Sequence, residues 1–181
     1  AKHFLNMRFR FPPTRGYAAL RALASTFPAE SVFVWTSNVD GCFERSGFER
    51  DRVYTTQGEM DKYQCTRCSN VWQCEEQLRA IDEAAVDGVL TDPSLGLTCT
   101  RCGATFELLL PNLRGGDWFD HAPYDETSKR LSAWLDRLVA TKASVAVIEV
   151  GVGPNTPVVT RIPACAFASA VASNGGRAAY V

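Results

Sequence analysis

The sequence predicts an α/β fold: a parallel sheet covered by helices, with a small four-cysteine metal module inserted into it. Short apolar runs, at residues 31–35 and 145–150, alternate with stretches of helical periodicity, as βαβ units do. The run at 145–150 is nearly continuous in apolar residues, as in a strand covered on both faces. Two identical Cys-Thr-Arg-Cys tetrapeptides, at 65–68 and 99–102, interrupt the alternation.

Each element has its own signal. Pro12-Pro13-Thr14 predicts a helix start with Thr14 as cap. Tyr17, Leu20, Leu23 and Phe27 then recur at helical spacing, giving one buried face that ends at Pro28. The strand at 31–35 empties into the polar crest Thr36-Ser37-Asn38-Val39-Asp40. A short helix over 41–46 stops at Gly47, and 52–55 reads as a second short strand. A second polar crest, Gln57-Gly58-Glu59, precedes the first cysteine pair. Within the insert, 75–86 is helical with Leu78, Ile81 and Ala85 on one side. Residues 108–110 resume a strand, and 112–124 form a loop. Leu131, Trp134, Leu135, Leu138 and Val139 mark a helix over 125–140. The strand at 145–150 leads into Gly151-Val152-Gly153-Pro154-Asn155-Thr156-Pro157, and 178–181 is a last strand. Residues 1–63 and 107–181 are therefore expected to form one α/β domain around an insert at 64–106.

Composition narrows the function classes. The 181 residues are 46% hydrophobic, enough for a core, and carry a net charge of −1. That balance supplies no basic stripe, so nucleic acid is not an expected partner. No apolar run approaches the length of a bilayer span, so a membrane is not expected either. Four of the seven cysteines fall in the two pairs. The pattern favours metal over disulfides and a reducing, cytoplasmic setting. Cys65, Cys68, Cys99 and Cys102 have the spacing of a structural zinc site: four thiolates fill a tetrahedron and leave no position for catalysis. Cys74 is a poorer ligand by spacing, and Cys42 and Cys165 read as small core residues.

Polar residues at the carboxyl end of an apolar strand are where open α/β sheets place ligands. Taken alone, Asn38 and Asp40 equally suit capping of the helix at 41–46. Gly151-Val152-Gly153 alone is a weak signal, usually a turn. Gln57 alone is an ordinary surface residue, and His121 a solvated one. Trp118 and Phe119 suit either an apolar ligand chain or the core.

In order along the chain, these segments resemble sirtuins. The stretch Thr36-Ser37-Asn38-Val39-Asp40-Gly41, then Cys42-Phe43-Glu44-Arg45-Ser46-Gly47, is similar to their Thr-x-Asn-Ile/Val-Asp-Gly pattern. Glu149-Val150-Gly151-Val152-Gly153 is similar to their cofactor-receiving strand and loop, and the paired cysteines match as well. Where sirtuins carry His-Gly, this chain has Gln57-Gly58. Thr56-Gln57-Gly58-Glu59, Asn112-Leu113-Arg114 before Asp117-Trp118-Phe119, and the Gly-Val-Gly-x-Asn-Thr-Pro loop resemble the macrodomain-linked sirtuins of microbes. That subgroup is associated with NAD-dependent ADP-ribosylation of a lipoylated carrier protein.

The resemblance implies a Rossmann-like fold and NAD as cofactor. It implies Asn38, Asp40 and Gln57 as catalytic residues. Thr36, Ser37, Asn38, Asp40, Gly151, Val152, Gly153, Asn155 and Thr156 would be the cofactor contacts. Sirtuin histidine is a general base on a ribose hydroxyl; a glutamine amide holds a hydroxyl but does not titrate near neutral pH. ADP-ribosyl transfer to a protein, such as an acylated or lipoylated carrier, is therefore favoured over lysine deacylation. A third reading is a binding module without turnover. The Gly-Ala-Gly strand and Arg-containing cofactor loop that open sirtuins are not among residues 1–181. A piece of a larger protein is expected, with its first strand missing and apolar sheet faces exposed.

Overall fold

The computed structural model describes residues 1–153 and 157–181. Helix α1 (Lys2–Leu5) runs into a wider π-turn over Asn6–Arg10. Helix α2 (Arg15–Ala24) follows. Thr14 holds its N-cap position with extended backbone, but its hydroxyl makes no capping bond. The apolar side of α2 is only partly covered: Tyr17 packs edge-on against Phe43 and Leu20 is half-buried, whereas Leu23 and Phe27 are 44% and 56% exposed. The predicted burial of that face is corrected to its first half.

Strand β1 (Val34–Thr36) begins three residues later than its apolar run, since a 3₁₀ turn at Ala29–Ser31 follows Pro28. Helix α3 (Cys42–Arg45) leads to β2 (Val53–Thr55), which pairs parallel to β1 from Val34↔Val53 to Thr36↔Thr55. Strand β3 (Gly58–Cys65), β4 (Val71–Gln73) and, after helix α4 (Glu75–Ala84), β5 (Leu109–Leu113) form an antiparallel sheet in the order β4-β3-β5. Helix α5 spans Asp125–Ala140, as its periodicity predicts. Strand β6 (Ser144–Val147), helix α6 (Arg161–Ser173) and β7 (Arg177–Tyr180) complete the chain, with β6 and β7 parallel.

The α/β class holds, but the expected parallel sheet is two separate parallel pairs, β1–β2 and β6–β7. Helix α5 touches both β2 and α6 and so bridges them. The apolar run after β6 is covered on one side only: Ile148 and Val150 are exposed. The whole molecule exposes 10649 Å². A compact monomer of its mass of 19.9 kDa would expose about 8,700 Å². The excess reflects these uncovered apolar faces. No helix among the described residues is long and apolar enough to cross a membrane.

The principal buried cluster lies in the cysteine module rather than between the parallel pairs. Leu5, Trp72, Cys74, Leu78, Leu97, Ala104 and Leu109 pack with Cys65 and Cys99. Strand β3 escaped sequence reading because Glu59-Met60-Asp61-Lys62 has no apolar alternation. Ion pairs take the place of apolar burial. Glu59 is fully buried and meets Arg50, Lys62 and, at 3.8 Å, Arg8. Arg8 also bonds Asp61 at 2.9 Å. A buried carboxylate is tolerated only with such partners. Glu59→Ala removes the one carboxylate shared by three cations, leaving Arg8 and Lys62 to Asp61 and Arg50 to Glu44. It should cost about 3 kcal/mol of stability, measured by urea denaturation; a change below ~1 kcal/mol would contradict the network.

Candidate functional site

The two polar crests sit side by side because strand ends place them there. The Thr36 carbonyl accepts the Thr56 amide at 2.9 Å, and the Val39 carbonyl accepts the Met60 amide at 3.0 Å. Buried Thr36 also accepts the Asn38 amide through its hydroxyl, at 3.0 Å. The exposed Asn38 side chain donates to the Tyr17 hydroxyl at 3.0 Å. Burial, then the nearby Asp40 carboxylate, raises the Tyr17 pKa, so the phenol stays protonated. The sequence marked Tyr17 only as part of an apolar face; nothing in the chain pattern signals this contact.

Gly41 is the N-cap of α3. Asp40, one residue earlier, accepts the Cys42 amide on Oδ1 at 2.9 Å, close to its plainer reading as a cap, whereas Asn38 bonds Tyr17 instead. Gly41, at φ +66°, leaves room for the Arg8 guanidinium, which would lie 1.5 Å from a Cβ there. Arg45 bonds the Arg8 carbonyl at 2.7 Å and so ties the first turns of the chain to this helix.

Gln57 accepts the Arg114 amide on its backbone carbonyl at 3.0 Å. Gly58 turns beside it at φ +88°; a Cβ there would stand 2.0 Å from the Asn112 carbonyl. Asn112 is fully buried and satisfied: Nδ2 donates to Gln64 Oε1 at 2.7 Å and to the Asp120 carbonyl at 3.0 Å, and Oδ1 accepts from the Tyr124 hydroxyl at 2.6 Å. This network fixes the loop after β5. Phe119 is buried, in keeping with the core reading, and Trp118 is 48% exposed.

Gln57, Arg114, Asp117, Phe119 and His121 share a cleft of about 630 Å³ with Val158 and Val159, within the usual range for ligand sites. His121, read from sequence as solvated, lies in this cleft with its ring edge-on to Phe119 at 4.5 Å between centroids. Gly151 and Gly153 leave open space where a Cβ would be, with Gly151 at φ +67°. No hydrogen bond among the described residues links this loop to the crests. Asn155 and Thr156 lie outside the described residues.

The four paired cysteines converge. Their sulfurs lie within 4.8 Å of one another, with Cys65–Cys102 at 3.7 Å and Cys68–Cys99 at 3.6 Å. A tetrahedral zinc with bonds of about 2.3 Å has edges of about 3.8 Å, so the cage fits that ion. Asn70 Nδ2 approaches Cys99 Sγ at 3.8 Å. Cys74 is not part of the cage; its thiol donates to the Asp61 carbonyl at 3.3 Å.

The Sir2 family model matches residues 2–144. The chain belongs to the Sir2 family. It is 32% identical over 166 residues to a probable bifunctional ADP-ribose hydrolase/ADP-ribosyltransferase of Fusarium oxysporum f. sp. cubense. That match covers 88% of this chain and 27% of the relative. Among solved structures, Sir2Tm bound to a propionylated peptide aligns with TM-score 0.58 at 18% identity, covering 96% of this chain and 60% of that one. A mutant Sir2 homologue complexed with ADP-ribose aligns with TM-score 0.58 at 19% identity, covering 99% and 59%. The likeness to these structures shows the shared fold, and the chain spans only part of each relative.

Metal analysis should return one zinc per chain, and Cys99→Ser should lose it and lower the melting temperature. Metal-free protein with an unchanged melting temperature would contradict the cage. A second expectation concerns pH. Hydrogen bonds from Arg161, then Tyr180, pull the Glu149 carboxyl from its ordinary 4.5 down to about 2. Its stabilisation is therefore complete above pH 4.5 and lost as pH falls toward 2. The gap in melting temperature between wild type and Glu149→Gln should shrink over that range.

Proposed function

We propose that this chain is the catalytic part of an NAD-dependent protein ADP-ribosyltransferase of Sir2 type, with a structural zinc. The observation that carries the reading is Gln57 in the cleft wall, its carbonyl pinned by the Arg114 amide. The name of the Fusarium relative supports it. When bound, NAD supplies an ADP-ribosyl group that becomes transferable once the nicotinamide–ribose bond breaks. The open outer side of Gly151 and Gly153 and the cleft volume suit such a ligand.

The side chains divide the work. Gln57 holds a ribose hydroxyl without taking its proton. Asn38, steadied on Tyr17, orients ribose hydroxyls or the incoming nucleophile. Asp40 accepts from the carboxamide beside the Cys42 amide it already caps; a carboxylate has lone pairs for both. Thr36 and Ser37 shape this crest, and Gly151, Val152 and Gly153 take the adenosine side. Arg114 balances phosphate or substrate charge. The acceptor in this reading is a protein, with an acylated or lipoylated carrier as the first candidate. A cytoplasmic setting belongs to the same reading, since zinc-bound thiolates need reducing conditions.

His121 in the same cleft favours a second reading, lysine deacylation with this imidazole as the base in place of Gln57. Label transfer from NAD to protein separates them. Asn38→Ala and Gln57→Ala should each lower transfer at least tenfold, on the order of one lost hydrogen bond to a charged or reacting group. Undiminished transfer in both variants would reject the roles given to Asn38 and Gln57, and no transfer by the wild type would reject the transferase. Deacylation that falls in His121→Gln, with no protein labelling, would establish the alternative. Gln57→His should raise deacylation if only the base is lacking.

A further inference from the structure

We propose that Arg161 is a positioning residue that sets the cleft wall opposite Gln57 and thereby the affinity for the ADP-ribose half of NAD. This rests on the Sir2-type reading of the cleft. Val158 and Val159 form that wall, and in the chain they lie between Val152 and Arg161. Arg161 is the first residue of α6, and its Nη2 donates to the Val152 carbonyl at 2.9 Å. One side chain thus fastens Val152 to the start of α6, next to Val158 and Val159.

The guanidinium is itself aimed. Its Nε donates to Glu149 Oε2 at 2.8 Å and Oε1 at 3.0 Å, and Nη2 reaches Oε1 as well. A planar fork on a carboxylate fixes direction as well as distance. Glu149 is anchored in turn by the β6–β7 pair: its amide donates to the Val181 carbonyl at 2.7 Å, and its Oε2 accepts from the Tyr180 hydroxyl at 2.6 Å. Strand, helix and loop therefore meet at one ion pair at the root of the Gly151-Val152-Gly153 turn. A carboxylate needed merely to cap α6 would bond that helix's free amides. Here its bonds go to Arg161 and Tyr180, and Arg161 reaches past it to the loop. The arrangement ties the fixed position of the sheet to Val152 and to the start of α6, two residues after Val159.

The test uses the full-length natural protein that contains this chain, with ADP-ribose as the binding probe in calorimetry and nicotinamide release from NAD as the kinetic readout. In Arg161→Met, the Kd for ADP-ribose and the KM for NAD should rise roughly tenfold, the loss of one charge-assisted hydrogen bond. The kcat should stay within about twofold. Arg161→Lys, which keeps the charge but not the fork, should fall between. Glu149→Gln leaves Arg161 in place but removes the carboxylate that aims it, and it should shift Kd in the same direction, measured well below the melting temperature of each variant. An unchanged Kd in both Arg161→Met and Glu149→Gln overturns the proposal, as does a fall in kcat with KM unaltered. Wild type that binds ADP-ribose but releases no nicotinamide removes the Sir2-type reaction, and the positioning role is then decided by Kd alone. Wild type that fails to bind ADP-ribose overturns both.

Discussion

A carboxylate without solvent sits at the start of β3, and the geometry of the crests follows from how it is neutralised. Glu59 draws in Arg8, Arg50 and Lys62 from three parts of the chain. Arg8 in turn lies under Gly41, the residue after Asp40, so the same cation supports the first crest from below. One residue on either side of Glu59 completes the connection. Gln57 bonds the Arg114 amide, and Met60 bonds the Val39 carbonyl. Charges buried in a low-dielectric setting resist displacement more strongly than apolar contacts of similar area, because separation leaves each ion unpaired. The crests are therefore held to one another by backbone hydrogen bonds above a base of buried ion pairs, while Asn38 and Asp40 are steadied locally by Tyr17 and the Cys42 amide.

The molecule divides its stability unevenly. The cysteine module carries the main buried cluster, which includes Cys65 and Cys99 and packs against Cys68. The two parallel pairs are thinly covered, with apolar side chains at Ile148, Val150, Val158 and Ile162 facing solvent. Burial at about 25 cal/mol per Å² is available only where surface is removed from water. The cleft lies along the boundary: Gln57 and Arg114 come from the rigid antiparallel sheet, and Val158 and Val159 from the less covered β6–α6 side. One wall is thus tied to buried ion pairs and amides, and the other ends two residues before Arg161, which bonds Glu149 and the Val152 carbonyl.

Much of this was legible in the chain itself. The helix at Asp125–Ala140 and the convergence of Cys65, Cys68, Cys99 and Cys102 could be read directly, because helical periodicity and two-residue ligand gaps are local signals. The order of crest, cysteine pairs and glycine loop was enough to indicate the family. Harder to see were β3, whose alternation is masked by ion-paired residues, and α6, whose start is displaced past a 3₁₀ turn at Pro157–Val159 to Arg161. The apolar stripe of α2 and the run at 145–150 announced burial that the fold leaves incomplete, since hydrophobicity records a preference for cover and not the presence of a neighbour.

The amino-acid order by itself determined the helix at Asp125–Ala140, the convergence of the four paired cysteines and which polar residues stand at the end of the strand at Val34–Thr36, since each depends on neighbours a few positions apart. Tertiary structure alone decided that Tyr17 steadies Asn38, that His121 shares a cleft with Gln57, and that Arg161 spans from Glu149 to Val152. Those pairings join residues brought together only by packing, and no local spacing encodes the distance between side chains that meet across separate elements.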